Sequence, residues 1–281
     1  MNPIWITGAG GLIGNYLVET APSMPGARVI GLTRSQLDLA DFAAVRRKFQ
    51  RQQPSAIIHC AALSRSPECQ ANPAQARRLN VEVTANLASL AEAIPFVFFS
   101  SDLVFDGRAG NYDESAPVNP LSVYGETKAA AEEVVLANPR HLVVRTSLNG
   151  GTSPTGDRGF NEQMRLAWQA GKRLTLFTDE FRCPAPAVVT ARATWELLSR
   201  NHPGLYHVTG SERLSRWQLG QLIAARWPEL HPSIQPSSLR TYQGAPRPAD
   251  CSLNCAKAQK LLSFTLPGLS DWLSAHLKER F

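Results

Sequence analysis

The chain has 281 residues, 43% hydrophobic and 19% charged, which excludes a disordered or fibrous protein and suits one large α/β unit or two fused domains. Its 29 Lys and Arg against 23 Asp and Glu give a formal net charge of +6, a basic excess that fits an anionic ligand, an acidic membrane surface or nucleic acid. The six Lys and 23 Arg are scattered, with no run longer than Arg46-Arg47-Lys48, and no apolar stretch reaches the roughly 20 residues of a membrane span, so neither nucleic acid nor membrane is the expected partner.

Ile4 to Thr7 reads as a short apolar strand ending in glycines, followed by a helix from Leu12 to Glu19. A strand at Arg28–Leu32, an amphipathic helix at Phe42–Gln50 and a strand at Ala56–Cys60 come next. Then follow a helix around Leu79–Ala93, a strand at Phe96–Phe99, a helix near Ser122–Ala137 and a strand at Leu142–Val144. Short, nearly all-apolar strands alternating with helices are the mark of a parallel sheet covered on both faces, whose ligands sit at the carboxyl ends of the strands. Gly, Ser, Thr and Pro crowd positions 150–159, where the chain is expected to leave this unit. Beyond lie a helix at Phe160–Ala170, a strand at Leu174–Phe177 and a helix at Ala191–Ser199. Leu205–Val208 reads as a strand that rejoins the sheet.

Met1-Asn2-Pro3 runs directly into Ile4-Trp5-Ile6, with no signal-peptide pattern. The five Cys are odd in number, widely spread and without a Cys-x-x-Cys pair, so a reducing, cytoplasmic setting and no metal are expected. His59 reads as a strand-end core residue rather than a ligand.

Thr7-Gly8-Ala9-Gly10-Gly11-Leu12-Ile13-Gly14 places glycines at 8, 11 and 14 where a strand gives way to a helix. Gly8 permits the tight turn, Gly11 lets the backbone approach a pyrophosphate, and Gly14 allows helix and strand to pack closely. The helix N-terminus then offers free N–H groups to the phosphates of a dinucleotide. An acid that would bind a ribose 2′-hydroxyl is missing from the end of the second strand; Leu32-Thr33-Arg34-Ser35 stands there instead. Arg34 is suited to a 2′-phosphate, which favours NADPH over NADH. The implied fold class is α/β, a doubly wound parallel Rossmann sheet with a smaller α/β substrate-binding domain. Residues 1–150 and 185–209 are assigned to the former, and 151–184 and 210–281 to the latter.

Tyr124 and Lys128 lie four apart on an expected helix and so share a face. With five Tyr and six Lys in the chain, about 0.1 such pairs arise by chance. A free phenol of pKa about 10 is a sluggish acid at neutral pH, and a nearby ammonium stabilises the phenolate. Ser101, at the carboxyl end of the fourth strand, is placed to hydrogen-bond a substrate carbonyl. The three together suit reduction of a ketone, with the proton from Tyr124 and hydride from a nicotinamide.

TGAGGLIG (7–14), LDLAD (37–41), CAAL (60–63), SSDLVFDG (100–107), YGETK (124–128), VVRTS (143–147), GLYHVTG (204–210) and RPADCSL (247–253) together resemble an extended short-chain dehydrogenase/reductase of the dTDP-4-dehydrorhamnose reductase family. The resemblance spans almost the whole chain. It implies cofactor contacts from Gly8, Gly11, Leu12, Ile13, Asp38, Leu39, Ala61, Ala62, Leu63, Tyr124 and Lys128, in addition to Gly14 and Arg34. It also implies a nucleotide-linked keto sugar as substrate, facing Ser101 and Asp102, with Ser101 standing where the family usually has Thr. Arg182 and Arg247, in loops of the second half, are candidates to clamp a diphosphate through paired hydrogen bonds.

Two positions depart from the family pattern. Leu148 replaces a Trp after Arg-Thr-Ser, and Leu103 replaces a Tyr after Asp102; both remove aromatic surface from the expected substrate side. In similar dehydratases a Glu follows the segment's Asp, so Leu103 argues against dehydration; similar epimerases usually lack the acid at 102. The chain also resembles the regulatory β subunit of methionine adenosyltransferase, a non-catalytic relative. In similar proteins the helices near Leu79–Ala93 and Ser122–Ala137 form a dimer face, so a homodimer is expected.

Overall fold

Strands of four to six nearly all-apolar residues leave no polar face to solvent, so the sheet they build must be covered on both sides. The computed structural model, which describes residues 2–21, 28–244, 246–277 and 279, has that form. Its first half runs β1 (Ile4–Thr7), α1 (Leu12–Glu19), β2 (Val29–Leu32), α2 (Phe42–Gln52), β3 (Ala56–His59), α3 (Ser66–Ala71), α4 (Pro73–Arg77), α5 (Val83–Leu90), β4 (Phe96–Ser101), α6 (Val123–Leu136) and β5 (Leu142–Thr146). The second half adds β6 (Asn149–Gly150), α7 (Phe160–Gln169), β7 (Leu174–Phe177), β8 (Phe181–Arg182), β9 (Ala185–Pro186), α8 (Ala187–Ser199), β10 (Gly204–His207), β11 (Leu214–Ser215), α9 (Arg216–Ala224), β12 (Ile234–Ser237), α10 (Ala256–Gln259) and α11 (Leu269–Ala275).

Six strands form one parallel sheet in the order β10-β5-β4-β3-β1-β2. The order reverses at β1 and β3, which opens a crevice at the carboxyl ends of the strands. One face buries Trp5, Ile57, Phe96, Phe98 and Val143 against Val45, Leu87, Ala131 and Val135 of α2, α5 and α6. The other face buries Ile6, Ile58, Val97 and Val144 against Leu17 of α1 and Ala191, Trp195 and Leu197 of α8, and the same cluster continues into Phe160, Met164, Leu219 and Trp272 of α7, α9 and α11. The elements after β5 thus share a core with the sheet. Their own strands form three two-stranded pairs, β11 with β8, β12 with β7 and β6 with β9.

Leu205–Val208 rejoins the parallel sheet as expected, with β10 beside β5. The expected helix at Leu79–Ala93 is corrected: helical structure begins at Ser66, passes through α3, α4 and a π-helical turn at Arg78–Glu82, and ends at Leu90. Pro67 and Pro73 occupy the first turns of α3 and α4, where a missing N–H costs nothing. His59 is buried in the core, its ring bonded to the hydroxyls of Thr7 (2.6 Å) and Thr84 (3.2 Å), and burial followed by the charge of Lys128 pushes its pKa down to about 3.

Candidate active site

A cleft of about 1340 Å³ opens at the carboxyl ends of the strands, lined on one side by the glycine turn and on the other by loops of the second half. Gly8 sits at φ +71°, and a Cβ there would lie 2.6 Å from the backbone nitrogen of Ala61. A Cβ on Gly14 would come within 2.3 Å of the Gly8 carbonyl oxygen. Glycine at both positions therefore lets α1 start hard against the ends of β1 and β3. Gly11 is the N-cap of α1; no side chain caps it and no acid occupies the first turn. The amides of Leu12, Ile13 and Gly14 and the positive end of the helix are thus available to an anion. Asp38, Leu39, Ala61, Ala62 and Leu63 continue the wall. Arg34 lies on its rim, exposed and without an ion pair among the described residues, beside the Thr33–Gln36 turn. A glycine cradle, an uncapped helix and a free guanidinium fit the diphosphate and 2′-phosphate of a dinucleotide.

Asn80, a residue the sequence did not single out, ties this wall to α6. Buried in the π-helical turn, it accepts from the Leu63 N–H (2.8 Å) and donates to the Leu63 carbonyl (3.0 Å) and Thr127 Oγ1 (3.0 Å). A polar residue on an otherwise apolar helical face was its only signal.

Ser101, Tyr124 and Lys128 line the floor of the same cleft. Ser122 caps α6, accepting from the Gly125 N–H at 3.2 Å, so Tyr124 and Lys128 occupy the first turns of a well-formed helix. Lys128 is buried with its ammonium 4.0 Å from the centre of the Phe98 ring. Burial pulls its pKa down to about 7, with Glu132 acting in the opposite sense. Glu132 is itself held by Arg145 through bonds of 2.9 and 2.7 Å. Burial drives the Tyr124 phenol upward, opposed by a hydrogen bond with Ser101, so the phenol is protonated at neutral pH. Ser101 Oγ accepts from the Leu103 N–H at 3.1 Å and donates to Asp102 at 3.2 Å.

Beyond Ser101 the cleft becomes a charged network. Asp102 is buried, accepts from Ser147 Oγ at 2.5 Å and pairs with Arg182 Nε at 3.5 Å; desolvation nevertheless raises its pKa. Arg182 is buried too, with its remaining donors on the carbonyls of Phe181 (2.7 Å) and Pro248 (3.3 Å) and on Glu180 (3.2 Å). Glu180 receives Arg247 at 2.7 and 3.1 Å. Burial would raise the Glu180 pKa, but the Arg247 bonds and the charges of Arg182, Arg216 and Arg247 hold it below the usual range. Arg247 is 39% exposed and borders the cleft, as does Tyr242, whose ring centre is 5.9 Å from the Arg247 guanidinium. Tyr242 adds to the aromatic surface of a cleft in which Leu103 and Leu148 present aliphatic side chains. Among the described residues no cluster of three or more His, Cys, Asp or Glu is placed to hold a metal, and no helix is long and apolar enough to cross a membrane.

Residues 1–280 match the family described as the RmlD substrate binding domain. The chain belongs to this family. It is thus an extended short-chain dehydrogenase/reductase of the dTDP-4-dehydrorhamnose reductase family. It is 30% identical to a probable low-salt glycan biosynthesis reductase of Haloferax volcanii, over 96% of each chain. It is also 29% identical to the methionine adenosyltransferase 2 subunit beta of Rattus norvegicus, over 92% of this chain and 82% of that one. A hypothetical dTDP-4-dehydrorhamnose reductase from Sulfolobus tokodaii superposes with a TM-score of 0.84 at 29% identity, covering 96% of this chain and 97% of that one. The dTDP-4-dehydrorhamnose reductase of Bacillus anthracis str. Ames, crystallised in complex with NADP, shares the fold with a TM-score of 0.89 at 22% identity, covering 98% of each.

The cleft of this RmlD-family chain gathers every residue that its sequence nominates, from Gly8 to Arg247. Glu180, Arg216, Tyr242 and Asn80 were not nominated. Glu180 follows Thr178-Asp179 and reads as an ordinary turn acid, and Arg216 reads as a polar position on an amphipathic helix.

Proposed function

We propose that the protein is an NADPH-dependent reductase of a keto sugar carried on a nucleoside diphosphate, with Tyr124 as the proton donor. The observation that carries this reading is the single cleft joining an uncapped, glycine-lined helix start to Ser101, Tyr124 and Lys128 and then to the cationic Arg247. Leu12, Ile13 and Gly14 would hold the cofactor diphosphate and Arg34 its 2′-phosphate, with NADH the weaker alternative; bound there, the nicotinamide supplies hydride. Ser101, its hydroxyl turned from Asp102, and Tyr124 donate hydrogen bonds to the ketone oxygen, polarising the carbonyl. Tyr124 Oη then gives up its proton to that oxygen, and the ammonium of Lys128 stabilises the phenolate left behind. Since the resting phenol is held protonated, the residue is set for reduction. Asp102, fixed by Ser147 and Arg182, accepts from a sugar hydroxyl, and Arg247 meets the diphosphate. Arg182, with its donors engaged inside the protein, supports both rather than clamping phosphate itself. Residues 151–184 and 210–281 form the substrate-binding portion on this reading. We expect a cytoplasmic homodimer.

A second reading, cofactor binding without turnover in a regulatory subunit, is favoured by the match to the methionine adenosyltransferase 2 beta subunits. Following NADPH oxidation at 340 nm against a panel of nucleotide-linked 4-keto sugars separates the two. Consumption with at least one sugar supports the reductase. Tight NADPH binding with no consumption across the panel favours the regulatory subunit.

A further inference from the structure

Arg216 opens α9 and lines the cleft beside Glu180, yet its guanidinium has no hydrogen-bond or ion-pair partner among the described residues. Its backbone is firmly placed: the Arg216 N–H donates to the Glu180 carbonyl at 2.9 Å, and Ser215 with Gln218 completes a capping box around the helix start. Three features make an unpaired cation unfavourable there. The side chain is only partly exposed, so water solvates it incompletely. It sits at the positive end of a nine-residue helix, where the helix dipole disfavours cations. Two further guanidinium groups, Arg182 and Arg247, are held on the neighbouring Glu180, and burial together with their charges lowers the Arg216 pKa against the opposing charge of Glu180.

Glu180 attracts this cation through space but makes no hydrogen bond or ion pair with it. Its Oε1 accepts from Arg182 (3.2 Å) and Arg247 (3.1 Å), and its Oε2 from Arg247 (2.7 Å). With Asp102 also taken by Arg182, the cluster of three cations and two carboxylates carries one uncompensated positive charge, and the cation left without a hydrogen bond or ion pair among the described residues is Arg216. An anionic ligand in the cleft would supply the missing charge and remove the cost of leaving this cation uncompensated.

We infer that Arg216 is an anion-binding residue of the substrate site, taking a phosphate oxygen of the substrate diphosphate from the start of α9, in the cleft that Arg247 also lines. The inference deepens the nucleotide-sugar reading and rests on it for the identity of the anion. Glu180 is then a positioning residue: through its carboxylate and its backbone carbonyl it sets both arginines while touching no substrate itself.

The test uses calorimetric titration of the full chain saturated with NADP+, so that the cofactor site is filled. The titrants are dTDP, UDP, inorganic pyrophosphate and thymidine, and the proteins are wild type, Arg216→Gln and Arg216→Lys. Expected are a loss of about 10- to 100-fold in pyrophosphate and nucleoside diphosphate affinity for Arg216→Gln, partial rescue by Arg216→Lys, and unchanged thymidine and NADP+ affinity. The melting temperature of Arg216→Gln should equal or exceed that of wild type, because the side chain makes no bond within the protein. Equal pyrophosphate and nucleoside diphosphate affinity in wild type and Arg216→Gln would overturn the inference and leave the reductase reading intact. A lowered melting temperature with thymidine and NADP+ affinity falling alongside would also overturn it, marking a structural role. Pyrophosphate binding that depends on Arg216, with no nucleoside diphosphate bound, would uphold the anion site and remove the nucleotide-sugar reading. Wild type that binds neither pyrophosphate nor nucleoside diphosphate would remove both.

Discussion

The two walls of the cleft are built from different materials. The proposed cofactor wall is made of backbone: glycines at 8, 11 and 14, the open amides of α1 and the loop at Ala61–Leu63, which Asn80 pins. The proposed substrate wall is made of charge: Asp102, Glu180, Arg182, Arg216 and Arg247, from four separate segments, each carboxylate serving at least one arginine. A backbone cradle needs exact spacing over eight residues and tolerates no Cβ at its tightest points. A charge network needs only that the fold bring distant segments together. Its members are held by one another, so losing one leaves others buried and unpaired.

Substitutions should damage one wall while sparing the other. Glu180→Gln leaves Arg182 and Arg247 without their shared anion, and a loss of about 3 kcal/mol in stability is expected by denaturant titration. NADPH affinity should stay within about threefold of wild type in the fraction that folds. Gly14→Ala does the reverse: its methyl meets the Gly8 carbonyl, forcing α1 away from β1, and NADPH affinity should fall about 100-fold with pyrophosphate affinity at the Arg216 site unchanged.

Lys128 lies between the walls and gives a pH dependence. Its folded pKa of about 7 is below the unfolded value of 10.5, so the unfolded chain holds this proton between those limits and the folded chain does not. Burial of the charge therefore costs stability fully below pH 7, and the cost fades as pH rises toward 10.5. Lys128→Met should raise the melting temperature by roughly 5 °C at pH 6 and by less at pH 10, by calorimetry. In the wild-type enzyme the reductive kcat/KM should fall as pH rises through about 7, as the ammonium that stabilises the phenolate is lost. The smallest effect expected is at the rim: Arg34→Ala should weaken NADPH about fivefold more than NADH in fluorescence titrations, since the side chain is exposed and its charge partly screened.

The same contrast explains what the chain reveals before folding. The sheet and the glycine turn are legible because their determinants are local: apolar runs such as Ile57-Ile58 and the spacing of Gly8, Gly11 and Gly14. Tyr124 and Lys128 are legible because one helical turn separates them. Helices α3 and α4 are hidden behind Pro67 and Pro73, which punctuate loops as readily as they open helices. Glu180 and Arg216 are illegible for another reason. Each is ordinary in its own segment, and only β8 pairing with β11 (Phe181 opposite Ser215, Arg182 opposite Leu214) sets them side by side.

Comparing wild type with Tyr124→Phe in two parallel readouts, NADPH affinity by fluorescence and NADPH consumption with a nucleotide-linked 4-keto sugar that the wild type reduces, tests the proposed chemistry most directly. Loss of the phenolic proton with the ring retained should leave affinity within about twofold and lower kcat by about 1,000-fold. Turnover by Tyr124→Phe at the wild-type rate would contradict the assignment of Tyr124 as the proton donor.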